Sequence, residues 1–134
     1  MNRDSQIISR MTGVIYPFLI MFGFYIIING HISPGGGFQG GAVLATVFIS
    51  RYLVFRYEDI RINSLKILEK VFFVLIVLIP WIFVLYTNIP ENETGRTIYL
   101  ILMNLLIGFK VFCGLSIIFF RFVFYESGEY STTQ

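Results

Sequence analysis

The chain has 134 residues, of which 56% are hydrophobic and 13% are charged, and its mean hydropathy is +0.76. Soluble domains carry about 25% charged residues because their surfaces face water, so this composition excludes a soluble globule and predicts a single membrane domain over residues 1–134. The net charge of +2, with dispersed basic residues, argues against a nucleic-acid-binding protein. The one cysteine, Cys113, excludes an internal disulfide and any cysteine-based metal cluster within the chain.

Four apolar segments are long enough for transmembrane helices, which need about 20 residues each. They are approximately residues 11–29, 38–54, 71–87 and 97–120. Pro17 falls near the start of the first segment, where proline is tolerated, whereas Pro80 in the middle of the third should kink its helix. The first segment is longer than a signal-peptide core and has no small-residue cleavage site after it, so we interpret it as a retained helix. Because the alternation typical of barrel strands is absent, the sequence predicts an all-α integral membrane protein with four transmembrane helices.

The distribution of basic residues predicts the orientation. With both termini cytoplasmic, only Arg96 lies in an outside segment. The inside segments then hold the eight residues Arg3, Arg10, Arg51, Arg56, Arg61, Lys66, Lys70 and Arg121. This asymmetry follows the positive-inside rule. The polar stretch 56–70 is then a solvated cytoplasmic connector or, alternatively, a docking surface for a partner subunit, and Asn63 or Ser64 can cap a helix that continues into the third segment.

A glycine cluster separates the first two segments, in the stretch "NGHISPGGGFQGGAVLA" at residues 29–45. A phosphate-binding loop needs a cation, and no Lys or Arg occurs between Arg10 and Arg51. A turn between two membrane helices explains these residues better than a phosphate-binding loop does. Gly30 can end the first helix in a left-handed conformation, Ser33 and Pro34 favour a turn, and residues 35–37, all glycine, allow a sharp reversal before the second helix.

The glycines that follow predict close helix packing. Gly37, Gly41 and Ala45 recur at four-residue spacing, which leaves a groove that a neighbouring backbone can enter. Gln39 would then need a polar partner across that groove. The alternative is that the turn lines a water-filled cavity. In that case His31 is a candidate proton relay, whereas otherwise it is an interfacial hydrogen-bonding residue.

Lys110 stands near the middle of the fourth segment, with thirteen uncharged residues before it and ten after it. A charged lysine at this depth costs at least about 2.5–3.5 kcal/mol, and ten helical residues span about 15 Å, too far for its side chain to reach water. Lys110 therefore either pairs with a carboxylate or carbonyls in a protein interface or faces a polar channel. Because no acidic residue lies in a predicted segment, the countercharge is expected from another subunit. Gly114, one turn later, could clear space for it, whereas Asn104 faces elsewhere and can bond to a neighbouring helix.

Two motifs carry a resemblance to a known family. The stretch "GHISPGGGFQGGAVLA" resembles the motif of the B subunit of Mrp-type sodium/proton antiporters, also called MnhB. The stretch "NLLIGFKVFCGL" at residues 104–115 is similar to that family's "IGLKVGAGL" pattern, with Phe109, Phe112 and Cys113 in place of small or aliphatic residues. The residues of these motifs that we assign to the turn and to helix packing are Gly30, Ser33, Pro34, Gly35, Gly36, Gly37, Phe38, Gln39, Gly40, Gly41, Gly108 and Gly114.

The resemblance implies a non-catalytic subunit of a multisubunit Na⁺/H⁺ antiporter in a prokaryotic cell membrane. Its partners would be the other small and large membrane subunits and the lipid bilayer, and the complex would transport Na⁺ and H⁺. Two alternatives remain: the equivalent subunit of a redox-driven ion pump, such as a membrane-bound hydrogenase or a ferredoxin-linked respiratory complex, or a purely structural packing subunit. The sequence offers no catalytic set, metal-ligand cluster or cofactor motif, and Lys110 and His31 are its candidates for an ion pathway.

Overall fold

The computed structural model describes residues 3–55, 62–86 and 93–131, and within these ranges the chain forms four helices. They are α1 (Arg3–Ile28), α2 (Gly37–Phe55), α3 (Ile62–Tyr86) and α4 (Glu93–Ser131). Each contains a stretch long and apolar enough to cross a membrane. The predicted all-α membrane architecture is confirmed.

Three of the helices extend beyond the predicted boundaries. Because α1 begins at Arg3, Pro17 lies in the interior of the helix and not near its start, which corrects the sequence prediction. The third helix begins at Ile62 and not at about residue 71. Residues such as Lys, Leu and Glu sustain a helix well beyond its apolar part. The expected connector is therefore helical from residue 62 onward, Asn63 and Ser64 lie inside the first turn rather than at a cap, and residues 56–61 lie outside the described part of the chain.

Helix α2 lies between α1 and α4, and α4 contacts the other three helices. Helix α2 packs antiparallel against α1, since Leu44 and Gly40 lie beside Gly23. It packs parallel to α4, since Gly37 lies beside Asn104 and Gly41 beside Gly108. Helix α2 thus contacts both of these neighbours along much of its length.

Helix α3 sits at the edge of the bundle. Among the described residues it packs against α4 alone, in an antiparallel arrangement marked by two stacked ring pairs. Phe72 stacks on Phe109 with ring centroids 5.6 Å apart, and Phe83 stacks on Tyr99 at 4.4 Å. Aromatic side chains thus form much of the contact between α3 and the rest of the structure. Pro80 lies inside the continuous helix α3, and the kink expected there stays a prediction.

Five glycines bring the three packed helices into backbone contact, and we call them the glycine seam. They are Gly23 on α1, Gly37, Gly40 and Gly41 on α2, and Gly108 on α4. A Cβ at Gly41 would collide with the Gly108 carbonyl, and a Cβ at Gly40 would lie 2.7 Å from the Gly23 carbonyl oxygen. Because any side chain at these positions would push the backbones apart, the seam fixes how closely α2 approaches its neighbours.

Bulky rings fill the bundle beyond the seam. Phe109 contacts Phe24 of α1 edge-on, with centroids 6.2 Å apart, and Phe120 is fully buried and meets Phe48 and Tyr52 of α2 at 5.8 and 4.7 Å. Phe112 also packs edge-on against Phe48, at 5.4 Å. The large residues that replace small ones in the second motif are therefore accommodated between helices, where offset and edge-on ring contacts add to the burial of apolar area.

The seam makes a direct prediction for stability. We expect Gly41→Ala to lower the free energy of unfolding by about 1–3 kcal/mol, because the added methyl group overpacks the α2–α4 contact. Gly114→Ala is the matched control, since a Cβ there meets nothing within 4 Å. That control should be neutral or stabilising by up to about 1 kcal/mol, the usual gain when alanine replaces glycine in a helix. Thermal unfolding of both variants in the same detergent or nanodisc measures the difference, and equal midpoints would contradict the seam.

Candidate functional site

Lys110 projects from α4 towards α3 and meets a carboxylate there. Its Nζ lies 3.9 Å from Oε1 of Glu69, and each of the two side chains is 34% exposed. This separation is within the range of an ion pair but is longer than a hydrogen bond. The two charges therefore attract each other without being locked together, and both side chains remain accessible from one side.

An aromatic ring completes the surroundings of the ammonium group. Nζ of Lys110 lies 4.8 Å from the centroid of the Phe73 ring, within the distance at which a ring face attracts a cation. Glu69 and Phe73 are four residues apart on α3, so both side chains lie on the helix face that meets α4. Together they provide the lysine with a negative charge and a π-face.

The origin of this carboxylate corrects the sequence analysis. The countercharge for Lys110 was expected from another subunit, and that expectation was wrong, because α3 begins at Ile62 and carries Glu69 within a stretch apolar enough to span a membrane. The spacing held a usable signal. Glu69 stands one turn before Phe73. A helix that continued past the apolar segment towards the N-terminus would therefore have placed the two residues on one face.

The seam explains why Lys110 points to α3. Gly108 faces α1 and α2, since a Cβ built on it would lie 2.8 Å from Ile27 and 3.2 Å from the Gly37 carbonyl oxygen. Two residues further along a helix is a rotation of about 200°. Lys110 must therefore face away from the seam, where only α3 is available among the described helices. Gly114 shares the face of Lys110 and leaves open space beside it.

The turn after α1 places its residues differently from the sequence expectation. Gly30 was expected in a left-handed conformation, but the described glycines with positive φ are Gly35 (152°) and Gly36 (89°). Gly30 is needed for another reason, since a Cβ there would collide with Cα of Gly36 and lie 3.1 Å from Nδ2 of the Asn104 side chain. The chain therefore reverses at residues 35–36, and the Gly36 carbonyl accepts the first helical hydrogen bond of α2, from Gly40.

Two polar side chains of the turn bond to the end of α1. Nδ1 of the half-buried His31 lies 3.0 Å from the Ile28 carbonyl oxygen, and the Ser33 hydroxyl donates to the Asn29 carbonyl at 3.1 Å. Carbonyls in the last turn of a helix lack intrahelical donors, so the His31 contact helps to close α1. The Asn29 carbonyl also accepts from the backbone N–H groups of Ile32 and Ser33, so the Ser33 hydroxyl reinforces the turn. When Nδ1 of His31 carries the proton for this bond, Nε2 of the neutral ring stays available as an acceptor.

The remaining motif residues lie on the outside of the turn. Phe38 is 63% exposed, and Pro34 and Gln39 are exposed as well. The Gln39 side chain therefore points away from the groove. This corrects the prediction that it has a polar partner across the groove. Gln39 is two positions after Gly37, about 200° around the helix from the seam, and its Oε1 lies near Gly35 instead.

The pairing of Lys110 with Glu69 can be measured by a double-mutant cycle. We expect Lys110→Met and Glu69→Gln each to destabilise the protein, and the double variant to lose less than the sum by about 0.5–3 kcal/mol, as residues in contact do. Glu93→Gln is the control partner, because exposed Glu93 lies about 25 Å along α4 from Lys110. Its effect should add to that of Lys110→Met. Additive losses in both cycles, read from thermal unfolding in nanodiscs, would show that Glu69 and Lys110 do not interact.

Known proteins match both the sequence and the fold. The family model described as "Domain related to MnhB subunit of Na+/H+ antiporter" matches residues 7–117. The mnhB2 protein of Staphylococcus aureus (strain Newman), provisionally named as an antiporter subunit, is 36% identical over 67 residues, or 50% of this chain and 47% of that protein. The same protein from strain COL gives the same figures. The chain thus aligns with about half the length of these relatives.

A solved structure extends the match to the helices. A chain in the membrane-bound sulfane sulfur reductase, an archaeal respiratory membrane complex, superposes with a TM-score of 0.67 and 31% sequence identity. The match covers 82% of this chain and 54% of that one. Because the family model covers most of the chain, including both glycine motifs and Lys110, this protein belongs to the family of domains related to the MnhB subunit of Na⁺/H⁺ antiporters.

Proposed function

We propose that the chain is a non-catalytic membrane subunit of a multisubunit Mrp-type Na⁺/H⁺ antiporter, and that Lys110 and Glu69 lie beside the route by which the complex moves cations and protons. The family and the mnhB2 relatives support the kind of complex. The observation that carries the role is the ion pair between α3 and α4. Ionisable residues within membrane-spanning helices are costly, and they commonly mark ion or proton pathways.

The geometry suits a site that responds to charge. Transfer of the ammonium proton from Lys110 to the carboxylate of Glu69 leaves an amine and a carboxylic acid, both neutral. A cation approaching the exposed side of Glu69 attracts the carboxylate and repels the ammonium, so it weakens the ion pair. Interactions of this kind are strong where the dielectric constant is low. The 3.9 Å separation leaves the pair loose enough to change partners.

His31 is the second candidate for the pathway, at the opposite end of α1 from the N-terminus. Its Nε2 is available to accept a proton while Nδ1 bonds to the Ile28 carbonyl. The alternative is that His31 serves only to form this hydrogen bond, which helps to close the end of α1. Replacement of His31 by Gln separates the two, because the amide can donate to the same carbonyl but does not titrate.

We infer a multi-pass arrangement in a prokaryotic plasma membrane, with both termini cytoplasmic. The first residues of α1 and the last of α4 lie at the same end of the bundle, as the helix directions require. Arg10, Lys70 and Arg121 lie towards that end, whereas Arg96 lies towards the other. The positive-inside rule then selects the first end as cytoplasmic. Large and small membrane subunits of the antiporter are the proposed partners.

A second assembly is supported by the structural match. The similar chain of known structure belongs to an archaeal respiratory complex, the membrane-bound sulfane sulfur reductase. The same four-helix unit therefore also suits a redox-driven ion pump, in which the electron carriers reside in other subunits. Purification of the native complex decides between the two, since iron–sulfur subunits that co-purify identify the redox pump and their absence supports the antiporter.

The ion-pathway role predicts a specific loss of transport. We expect Lys110→Met to leave an assembled complex whose cation-dependent proton movement in membrane vesicles falls by about tenfold or more, a barrier change of at least about 1.4 kcal/mol. Lys70→Met, at an exposed position on α3, removes the same charge and should leave transport unchanged. If Lys110→Met assembles and transports normally, the pair of Lys110 and Glu69 has no role in transport.

Topology can be tested by cysteine labelling. The native Cys113 is buried and should react slowly. Ile32→Cys, at a position that is 78% exposed beyond α1, is expected to react with a membrane-impermeant maleimide applied to intact cells. Asn63→Cys, at the start of α3, should react only after the membrane is opened. The reverse pattern would invert the proposed orientation.

A further inference from the structure

A cleft opens between α1, α2 and α4 in the half of the bundle that contains the start of α1. Its volume is about 240 Å³, larger than the roughly 150 Å³ of an engineered apolar cavity that binds benzene. Its lining is mostly aliphatic and aromatic. The side chains are those of Tyr16, Ile20, Phe24, Leu44, Val47, Phe48, Arg51, Phe109 and Phe112. From Arg51 to Leu44 the cleft follows about 10 Å of α2, counted at the helical rise.

One polar group in this lining lacks a partner. Tyr16 is only 9% exposed, and its buried hydroxyl makes no hydrogen bond to any residue that the structure describes. A buried hydroxyl without a partner destabilises the fold. Tyr16 lines both this cleft and a neighbouring cavity of about 570 Å³ that it shares with Ile20 and Arg51. The Tyr16 side chain therefore borders space in which a ligand group can lie.

Further polar groups gather at the same place. Arg51 lines both spaces and stands four residues before the end of α2, so its guanidinium is within reach of the membrane surface. Gly13 and Pro17 also line the second cavity. Since proline has no N–H, the Gly13 carbonyl lacks the donor that position 17 would normally supply. A cation, a hydroxyl and a backbone acceptor thus meet at the mouth of an apolar cleft.

We propose that this cleft binds an anionic phospholipid from the leaflet at this end of the bundle. One acyl chain lies in the cleft against Ile20, Phe24 and Phe48. The phosphate accepts hydrogen bonds from the Tyr16 hydroxyl and the Arg51 guanidinium, and a headgroup hydroxyl donates to the Gly13 carbonyl. Basic sites between transmembrane helices that recognise lipid headgroups have this combination of parts.

The chemistry of the lining favours a lipid over a helix from a partner subunit. The cleft is lined by apolar side chains along its length, and its polar groups are confined to one end, which matches the division of a phospholipid into chain and headgroup. A lipid phosphate also offers an acceptor for the unpartnered Tyr16 hydroxyl, whereas an apolar helix would leave that hydroxyl unpaired. The arrangement does not depend on the ion-transport role proposed above.

Native mass spectrometry of the purified complex tests the proposal. Wild-type complex, delipidated and then titrated with phosphatidylglycerol or phosphatidylcholine, should bind the anionic lipid about fivefold more tightly, the effect of about 1 kcal/mol from one basic residue near the surface. We expect Arg51→Gln to weaken phosphatidylglycerol binding by about tenfold and Tyr16→Phe by about fivefold, the losses that go with a charged and a neutral hydrogen bond.

Two control variants remove the same chemical groups at positions that do not line the cleft. Tyr25→Phe removes a hydroxyl from a side chain of α1 that is 61% exposed. Arg121→Gln removes an exposed cation towards the same end of the bundle. Both variants should bind phosphatidylglycerol as the wild type does. If Arg51→Gln fails to assemble, Arg51→Lys and the Tyr16→Phe titration carry the test, because both preserve the charge at the mouth.

Two results would overturn the proposal. One is equal binding of both lipids, with no change in Arg51→Gln or Tyr16→Phe. The other comes from a photoreactive residue at position 20, which should label lipid. If it labels a protein subunit instead, the cleft is a contact between subunits.

Discussion

The close approach of the α2 backbone to α1 and α4 is the constraint on which the rest of the structure depends. In a bilayer, apolar side chains gain little by leaving lipid for protein, so helices are held by close van der Waals packing. The glycine seam supplies that packing by removing side chains from three helices where they meet. The contacts at Gly40 and Gly41 leave no room for a methyl group, and they therefore fix both the separation of the helices and their register.

This register determines where the chemistry lies. With Gly108 turned into the seam, the helical repeat turns Lys110 outward to α3, and Glu69 and Phe73 meet it there. The same register brings Tyr16 of α1 opposite Arg51 of α2, at the mouth of the lipid cleft. The packing surface and the two polar sites are thus consequences of one arrangement, and a change in the seam would alter all of them.

The number and type of the helices followed from the sequence because apolar segments of about 20 residues have few alternatives in a membrane. The pairing of Lys110 did not follow, because hydropathy places the boundary of a segment where polar residues begin, and that rule excluded Glu69 from α3. Helical hydrogen bonding does not stop at that boundary. The cleft at Tyr16 could not be predicted from the sequence either. It depends on which faces of three helices meet, and a single sequence does not reveal that register.

The pair between α3 and α4 also has a consequence for how the protein is made. Glu69 precedes Lys110 by 41 residues, so α3 is synthesised before the lysine that pairs with its carboxylate. Each helix alone meets the cost of an ionisable residue in lipid, whereas the two together present opposite charges 3.9 Å apart. Because that cost is avoided when the two helices enter the membrane together, we expect α3 and α4 to insert as one hairpin.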